Sequence, residues 1–381
     1  MTKRKDAAAV AAVLSLAAAQ VLAGQPEVIP ITEPASQTHP NPSSERSIAD
    51  SSIDLDASRH HEPDALDDTA NDWSVRTLTL LWDNDGTLPK LISDSDRHYT
   101  NGAKIDLTLN PSAAFAQSVR DLGDRLDPIP DARVGVGLVI AQHIYTAFDI
   151  RVATPPPGSR PYAGYFYVGA YVQRASDAVH DHLELDVGVV GEWSGAEATQ
   201  KFIHAAFPDQ VEPLGWGTQL ANELAINLRY QRAWRFQKAT IGRLELDGIP
   251  RVGFDLGNVF VRANADLTLR LGFNLPDDFG PPRLLDYADA TGSWDGTWGL
   301  YAYIRGGARA VARNIFLDGN TFANSRSVDK RPVVTELTVG LAGRYKRFEA
   351  GWSVTWLSEE FDTQGNGDSY GSLYAQLSFP F

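Results

Sequence analysis

The sequence lacks three things, and each absence narrows what the chain can do. It has no cysteine, which excludes thiolate zinc sites and cysteine nucleophiles and says little about compartment. It is short of positive charge: 34 Lys and Arg stand against 48 Asp and Glu, a formal net charge of -14. Nucleic-acid binding needs a basic surface to neutralise phosphates, so no nucleic-acid partner is expected. Beyond the first two dozen residues there is also no apolar run long enough for a membrane-spanning helix.

What is present divides into three segments. Lys3, Arg4 and Lys5 precede the apolar run 7-AAAVAAVLSLAAAQVL-22 and the small pair Ala23-Gly24, which reads as a secretory signal peptide over residues 1–23. Residues 24–72 are rich in Pro, Ser, Asp and Glu and nearly free of aromatics. Such a segment cannot bury enough apolar surface to offset its chain entropy, so disorder is expected there, around His60 and His61. Residues 73–381 form the folded domain.

In that domain the dominant signal is period two. Val259, Val261, Ala263, Ala265, Leu267, Leu269 and Leu271 alternate with Asn258, Phe260, Arg262, Asn264, Asp266, Thr268 and Arg270. The pattern recurs in 99-YTNGAKIDLTL-109, 223-ELAINLRYQRAW-234 and 371-GSLYAQLSFPF-381. A soluble sandwich turns its polar face to water. Here nearly every strand carries Arg, Asp, Glu or Gln on one face and Trp or Tyr at its ends, the pattern of a transmembrane barrel with a polar lumen and aromatic girdles. Closure into a barrel also satisfies every backbone group in lipid, and the chain ends on Phe381 within an aromatic strand.

The fold expected is therefore all-β: a twelve-stranded antiparallel transmembrane barrel with short helices in its loops. The strands are read at 74–82, 99–109, 134–145, 162–174, 181–191, 222–234, 239–254, 258–273, 297–308, 333–345, 347–357 and 371–380. With a periplasmic N-terminus, the outward connections are 83–98, 146–161, 192–221, 255–257, 309–332 and 358–370. Two inward connections, 110–133 and 274–296, are longer than periplasmic turns usually are, and 112-SAAFAQSVRDLGDRL-126 reads as an amphipathic helix on the inner side. Lumen-facing charges of alternating sign imply an interior filled by ion pairs rather than a wide pore.

Of the histidines in the domain, His98 and His204 fall on the outer side, His204 in the helical-looking stretch 196-AEATQKFIHAAF-207. An isolated histidine there reads first as a packed or solvated helix residue, and gains weight as a catalytic group only from the company it keeps. Asn84 and Asp85 end strand one, and Thr100 opens strand two across the same hairpin, so the three converge at the wall. An Asx-rich turn is the plain account, but the loop carries more Asp and Asn than a turn needs, and oxygen donors of this kind suit calcium.

The blocks 83-DND-85, 94-DSDRHYTNG-102, 160-RPYAG-164, 199-TQKFIH-204, 215-GWGTQLANE-223 and 276-PDDFG-280 resemble, in order, the LpxR family of outer-membrane lipid A 3'-O-deacylases. The resemblance covers residues 73–381. It implies a calcium-dependent hydrolase of the Gram-negative outer membrane, expected as a monomer, that removes ester-linked 3'-acyl chains from the lipid A of lipopolysaccharide at the outer leaflet. It implies that His204 is the general base that activates water, that Asn84 and Asp85 hold calcium or the oxyanion, and that Thr100 completes that wall. Arg151, with Arg160 close by, would meet substrate phosphate. Tyr162 and Trp216 either shape the acyl groove or belong to the aromatic girdle, and Asp209 or Glu212 would stand for the family's acidic residue. Two other readings stay open: a barrel phospholipase with a Ser-His pair, and a non-catalytic barrel serving as pore or scaffold.

Overall fold

The computed structural model describes residues 73–85, 98–206, 211–284 and 296–379. The leader, the acidic segment, Asp94, Asp96 and Asp209 lie outside the described residues. The strands are β1 (Ser74–Asn84), β2 (Tyr99–Asn110), β3 (Arg133–Tyr145), β4 (Ala163–Ala175), β5 (Val179–Val190), β6 (Glu223–Trp234), β7 (Ala239–Ile241), β8 (Leu244–Gly257), β9 (Phe260–Phe273), β10 (Trp298–Asn314), β11 (Val333–Tyr345), β12 (Phe348–Leu357) and β13 (Asp368–Ser378). Neighbours pair antiparallel, β13 returns to β1 and β6 pairs with β8, so twelve strands close a barrel.

β7 has three residues, pairs with β8 and stands outside the ring. The segment 239–254, expected as one strand, is thus a hairpin whose turn uses Gly242 at φ +66°. Alternation on both sides of a two-residue turn conceals it from a periodicity argument. Likewise 255–257 belongs to β8 rather than to a loop, and β10 continues to Asn314.

Strand alternation sorts the side chains. In β1, Thr79, Leu81 and Asp83 are buried, while Leu80 between them is 48% exposed and faces out beside Ile105, 49% exposed, its partner on β2. Leu138, Val187, Ile226, Leu269 and Ile304 continue this apolar belt around the barrel, a lipid-facing surface far larger than a water-soluble chain leaves uncovered. Among the described residues no helix is long and apolar enough to cross a membrane.

The lumen is filled by ion pairs. The Arg229 guanidinium reaches Glu184 at 2.8 Å, Asp255 at 3.1 Å and Asp186 at 3.4 Å, and Arg270 forks onto Asp247 at 2.6 and 2.9 Å. Charges taken out of water this completely persist only when paired and hydrogen-bonded.

After β9 the chain turns into the lumen instead of making a plain inner-side loop. Arg270 donates to Pro276 O at 3.2 Å and Asp278 O at 3.3 Å, Arg251 to Phe279 O at 3.1 Å, and Arg305 to Pro281 O at 3.3 Å. Arg283 then pairs with Glu336 at 2.7 Å, and Leu284 lies 3.1 Å from where a β-carbon on Gly102 would stand. The segment climbs from the end of β9 to the opposite rim, its carbonyls bonded to arginines where water is excluded.

The rim at Asn84 carries two further helices besides α1 (Ala113–Asp124), which forms on the inner side as its amphipathic pattern predicts. These are α2 (Ala196–Ala206) after β5 and α3 (Ile315–Asp318) after β10. α3 turns Phe316 into the mouth, where its ring stacks on Tyr145 at 4.1 Å.

Candidate active site

At this rim, cross-strand partners line up on the lipid-facing side. Asn84 lies opposite Asn101, Asn101 opposite Ile144, and Ile144 opposite Gly164, one row across β1, β2, β3 and β4. α2 is laid over the β4 and β3 end of this row. A β-carbon on Gly164 would fall 2.0 Å from Ser194 Oγ and 2.3 Å from the Ala196 β-carbon, so glycine is what lets the foot of the helix touch the wall. Gln142 donates to Ser194 O at 2.8 Å, and Ile144, Ala147, Ile150, Tyr162, Ala196 and Trp216 form the apolar seam beneath.

Along α2, Ala196 and Gln200 are buried and His204 is half-buried, while Ala198, Lys201, Phe202 and Ala205 are exposed. Ala196, Gln200 and His204 fall at i, i+4 and i+8, one stripe of the helix, and the two buried members show that this stripe faces the wall. The Trp216 indole donates to Gln200 Oε1 at 2.8 Å and tethers the middle of the helix. His204 Nδ1 donates to Val211 O at 2.6 Å. A carbonyl can only accept, so this bond fixes the tautomer and leaves Nε2 with its lone pair.

The other half of the site is brought together as the hairpin predicts. Thr100 occupies the bulge where the β2–β3 register shifts, and its carbonyl accepts from the Asp85 amide at 3.3 Å and from Asn84 Nδ2 at 3.2 Å. Its hydroxyl lies 2.7 Å from that of Thr146. Asn84 keeps the outward register of Leu80 and Trp82, and Asp85 is buried to 1% exposure. His204 stands at this same rim, held by Val211.

The two arginines fare differently. Arg151 is exposed and forks onto Asp149 at 2.8 and 3.0 Å, a bond that lowers the Asp149 pKa and raises its own. Arg160 is 1% exposed, 2.6 Å from Glu360 and 4.7 Å over the Tyr145 ring. Burial works to raise the Glu360 pKa, but the Arg160 and Arg309 guanidiniums outweigh it and hold the carboxyl below its usual range. Arg160 is therefore a component of the mouth with its charge taken up by Glu360, not a group open to substrate phosphate. Tyr162 is 0% exposed and packs edge-on against Trp216 at 5.3 Å; it supports α2 rather than lining a groove or a girdle. Glu212 is exposed beside Val211.

Sequence reasoning passed over Gln200, Asp368 and Glu360. The four-residue spacing of Gln200 and His204 was a readable signal. The partners of His98 and Arg160 were not, since they lie 270 and 200 residues away.

The family model described as "Outer membrane protein LpxR" matches residues 61–379. The chain belongs to the LpxR family of outer membrane proteins. Among solved structures, LpxR from Salmonella typhimurium aligns at 20% identity and TM-score 0.65, covering 80% of this chain and 100% of that one. At that identity the likeness establishes a common LpxR fold. The β domain of the Bordetella autotransporter BrkA (11% identity, TM-score 0.41, 80% and 99% coverage) and the translocator domain of NalP from Neisseria meningitidis (8%, 0.33, 82% and 90%) are far looser matches. No curated protein sequence matches the chain. The LpxR barrel places the protein in the Gram-negative outer membrane.

Proposed function

We propose that this LpxR-family barrel hydrolyses the ester-linked 3'-acyl chains of lipid A in the outer leaflet, with His204 as general base. One observation carries the reading. The bond from His204 Nδ1 to Val211 O makes Nε2 the basic nitrogen, on the helix stripe that Gln200 and Ala196 turn toward the wall. Three strand spacings separate β4 from β1, roughly 14 Å, and the eight residue steps from Ala196 to His204 span about 12 Å of helix. A helix footed on Gly164 thus has the length to carry an imidazole toward Asn84.

The chemistry needs no covalent intermediate. Nε2 takes a proton from water as its oxygen adds to the ester carbonyl; the imidazolium then returns that proton to the departing 3' oxygen, releasing fatty acid and the free hydroxyl. Ser194, the serine at the foot of α2, donates its hydroxyl to Gly191 O at 2.5 Å, which favours activated water over a serine nucleophile. Asn84, Asp85 and Thr100 form an oxygen-only donor set, which fits a hard cation. Among the described residues no cluster of three acidic or histidine side chains forms, so Asn84 and Asp85 would hold calcium together with carbonyl oxygens and water. Bound there, calcium would stabilise negative charge on the ester carbonyl oxygen. Arg151, exposed on the same side, is the cation we assign to a lipid A phosphate.

The test is mass spectrometry of lipid A from Gram-negative cells expressing the wild type or His204→Ala. The reading expects loss of the 3' chains with the wild type only; unchanged lipid A in both overturns it.

A further inference from the structure

His98, the second histidine of this rim, takes no part in the chemistry above, yet its geometry is the more constrained. It is 2% exposed with φ +65°, a left-handed backbone that crowds a β-carbon and is uncommon outside Gly, with Asn, Asp and His the side chains that adopt it most readily. Strain of this kind persists only where the surroundings over-determine it. Nδ1 donates to both oxygens of Asp368, at 2.8 and 3.0 Å, and Gln364 Nε2 donates to the same carboxylate at 2.7 Å. The ring sits 5.3 Å from Phe361, edge-on, and 6.1 Å from Phe148.

Position gives the pair its meaning. β1 stops at Asn84, whose partners are Gly371 on β13 and Asn101 on β2. Asp368 and His98 each lie three residues beyond those partners, so their bond closes over the end of β1. From there hydrogen bonds run without a gap into the site: the His98 carbonyl accepts from the Thr146 amide at 2.9 Å, the Thr146 and Thr100 hydroxyls lie 2.7 Å apart, and the Thr100 carbonyl holds Asp85 and Asn84.

We propose that His98 and Asp368 are positioning residues, a clasp over the end of β1 that sets the Thr100 carbonyl and, through it, Asn84 and Asp85 against the wall. This rests on reading that corner as part of the deacylase site.

The experiment compares His98→Ala, His98→Asn and His98→Gln in detergent, measuring kcat and KM on lipid A and amide hydrogen exchange. His98→Ala should lower kcat about tenfold with KM within about twofold, and should speed exchange at the Asp85 and Thr146 amides. His98→Asn places an amide nitrogen where Nδ1 stood and accepts the left-handed backbone; it should return to within about threefold of wild type. His98→Gln, whose amide falls where Nε2 stood, should not. Wild-type kcat and exchange in His98→Ala overturn the clasp, as does a His98→Asn no better than His98→Gln, a contrast that decides alone if the alanine variant does not fold. If the wild type leaves lipid A intact, the function reading falls, and the exchange of Asp85 and Thr146 still decides the clasp.

Discussion

The inner and outer faces of the barrel wall use polar residues in opposite ways. Inside, charge is dense and matched: Arg229 touches three carboxylates, and Arg270 two carboxylates and two carbonyls. Outside, on the face that Leu80 and Ile105 give to lipid, polar side chains are few: Asn84 and Asn101 pair at the rim as a small polar island, and Gln200 on the wall side of α2 is bonded to Trp216. The lumenal network supports a shape, since a buried charge left without its partner destabilises strongly. The polar island supports no such frame, and its apolar surround strengthens whatever electrostatic work it does.

The comparison breaks most sharply on two single substitutions. Arg270→Ala leaves Asp247 and Asp278 buried without their cation and unties Pro276 and Asp278. It should cost about 3–5 kcal/mol, read as a lower urea midpoint and as ion conductance in planar bilayers once the lumenal segment loosens. His204→Ala should leave that midpoint unchanged and lower deacylation about 10²–10⁴-fold, the usual range for a lost general base. Equal loss of stability in both variants would erase the distinction between the faces.

Cation removal is next in size. Chelation with EGTA should reduce turnover about 10²-fold, the scale of a lost oxyanion stabiliser, with recovery on adding calcium. Asp85→Asn should shift the calcium concentration at half-maximal rate upward rather than abolish the rate. An EGTA-insensitive enzyme would remove the metal from the outer-face site.

The tether on α2 is worth less. Trp216→Phe keeps the ring against Tyr162 but removes the donor to Gln200, a neutral hydrogen bond of about 1 kcal/mol. We expect kcat to fall about fivefold, with KM and the His98-side amide exchange unchanged.

How much of this was legible in the sequence follows from the range of each signal. Alternation is local, so twelve strands, their closure and the outer rim could be read, as could α1, α2 and the meeting of Asn84, Asp85 and Thr100 across one hairpin. A two-residue turn at Gly242 preserves alternation and was invisible. The lumenal path of 274–284 was invisible too, since 276-PDDFG-280 gains its meaning from Arg251, Arg270 and Arg305, which other strands present. Polarity alone cannot tell a lumenal arginine from a surface one until closure fixes which way each side chain points.

Arg151 and Arg160 make that last point testable, since nine positions separate two side chains of identical chemistry. Arg160 is enclosed, bonded to Glu360 and laid over Tyr145; its removal takes from the buried Glu360 its one direct ion pair among the described residues and leaves it Arg309 and His98 as neighbours. Arg160→Ala should therefore lower the urea midpoint and leave the KM of the residual folded fraction unaltered. Arg151 is held by an exposed bond to Asp149, and solvent screens such a pair so that it adds little to stability; Arg151→Ala should therefore be thermodynamically silent. If Arg151 meets a lipid A phosphate, its loss should raise KM about threefold to tenfold with kcat intact, as expected when binding common to ground and transition states is lost, and the effect should shrink as salt screens the charge. A flat KM across salt would leave phosphate recognition to other residues and mark Arg151 as an ordinary surface arginine.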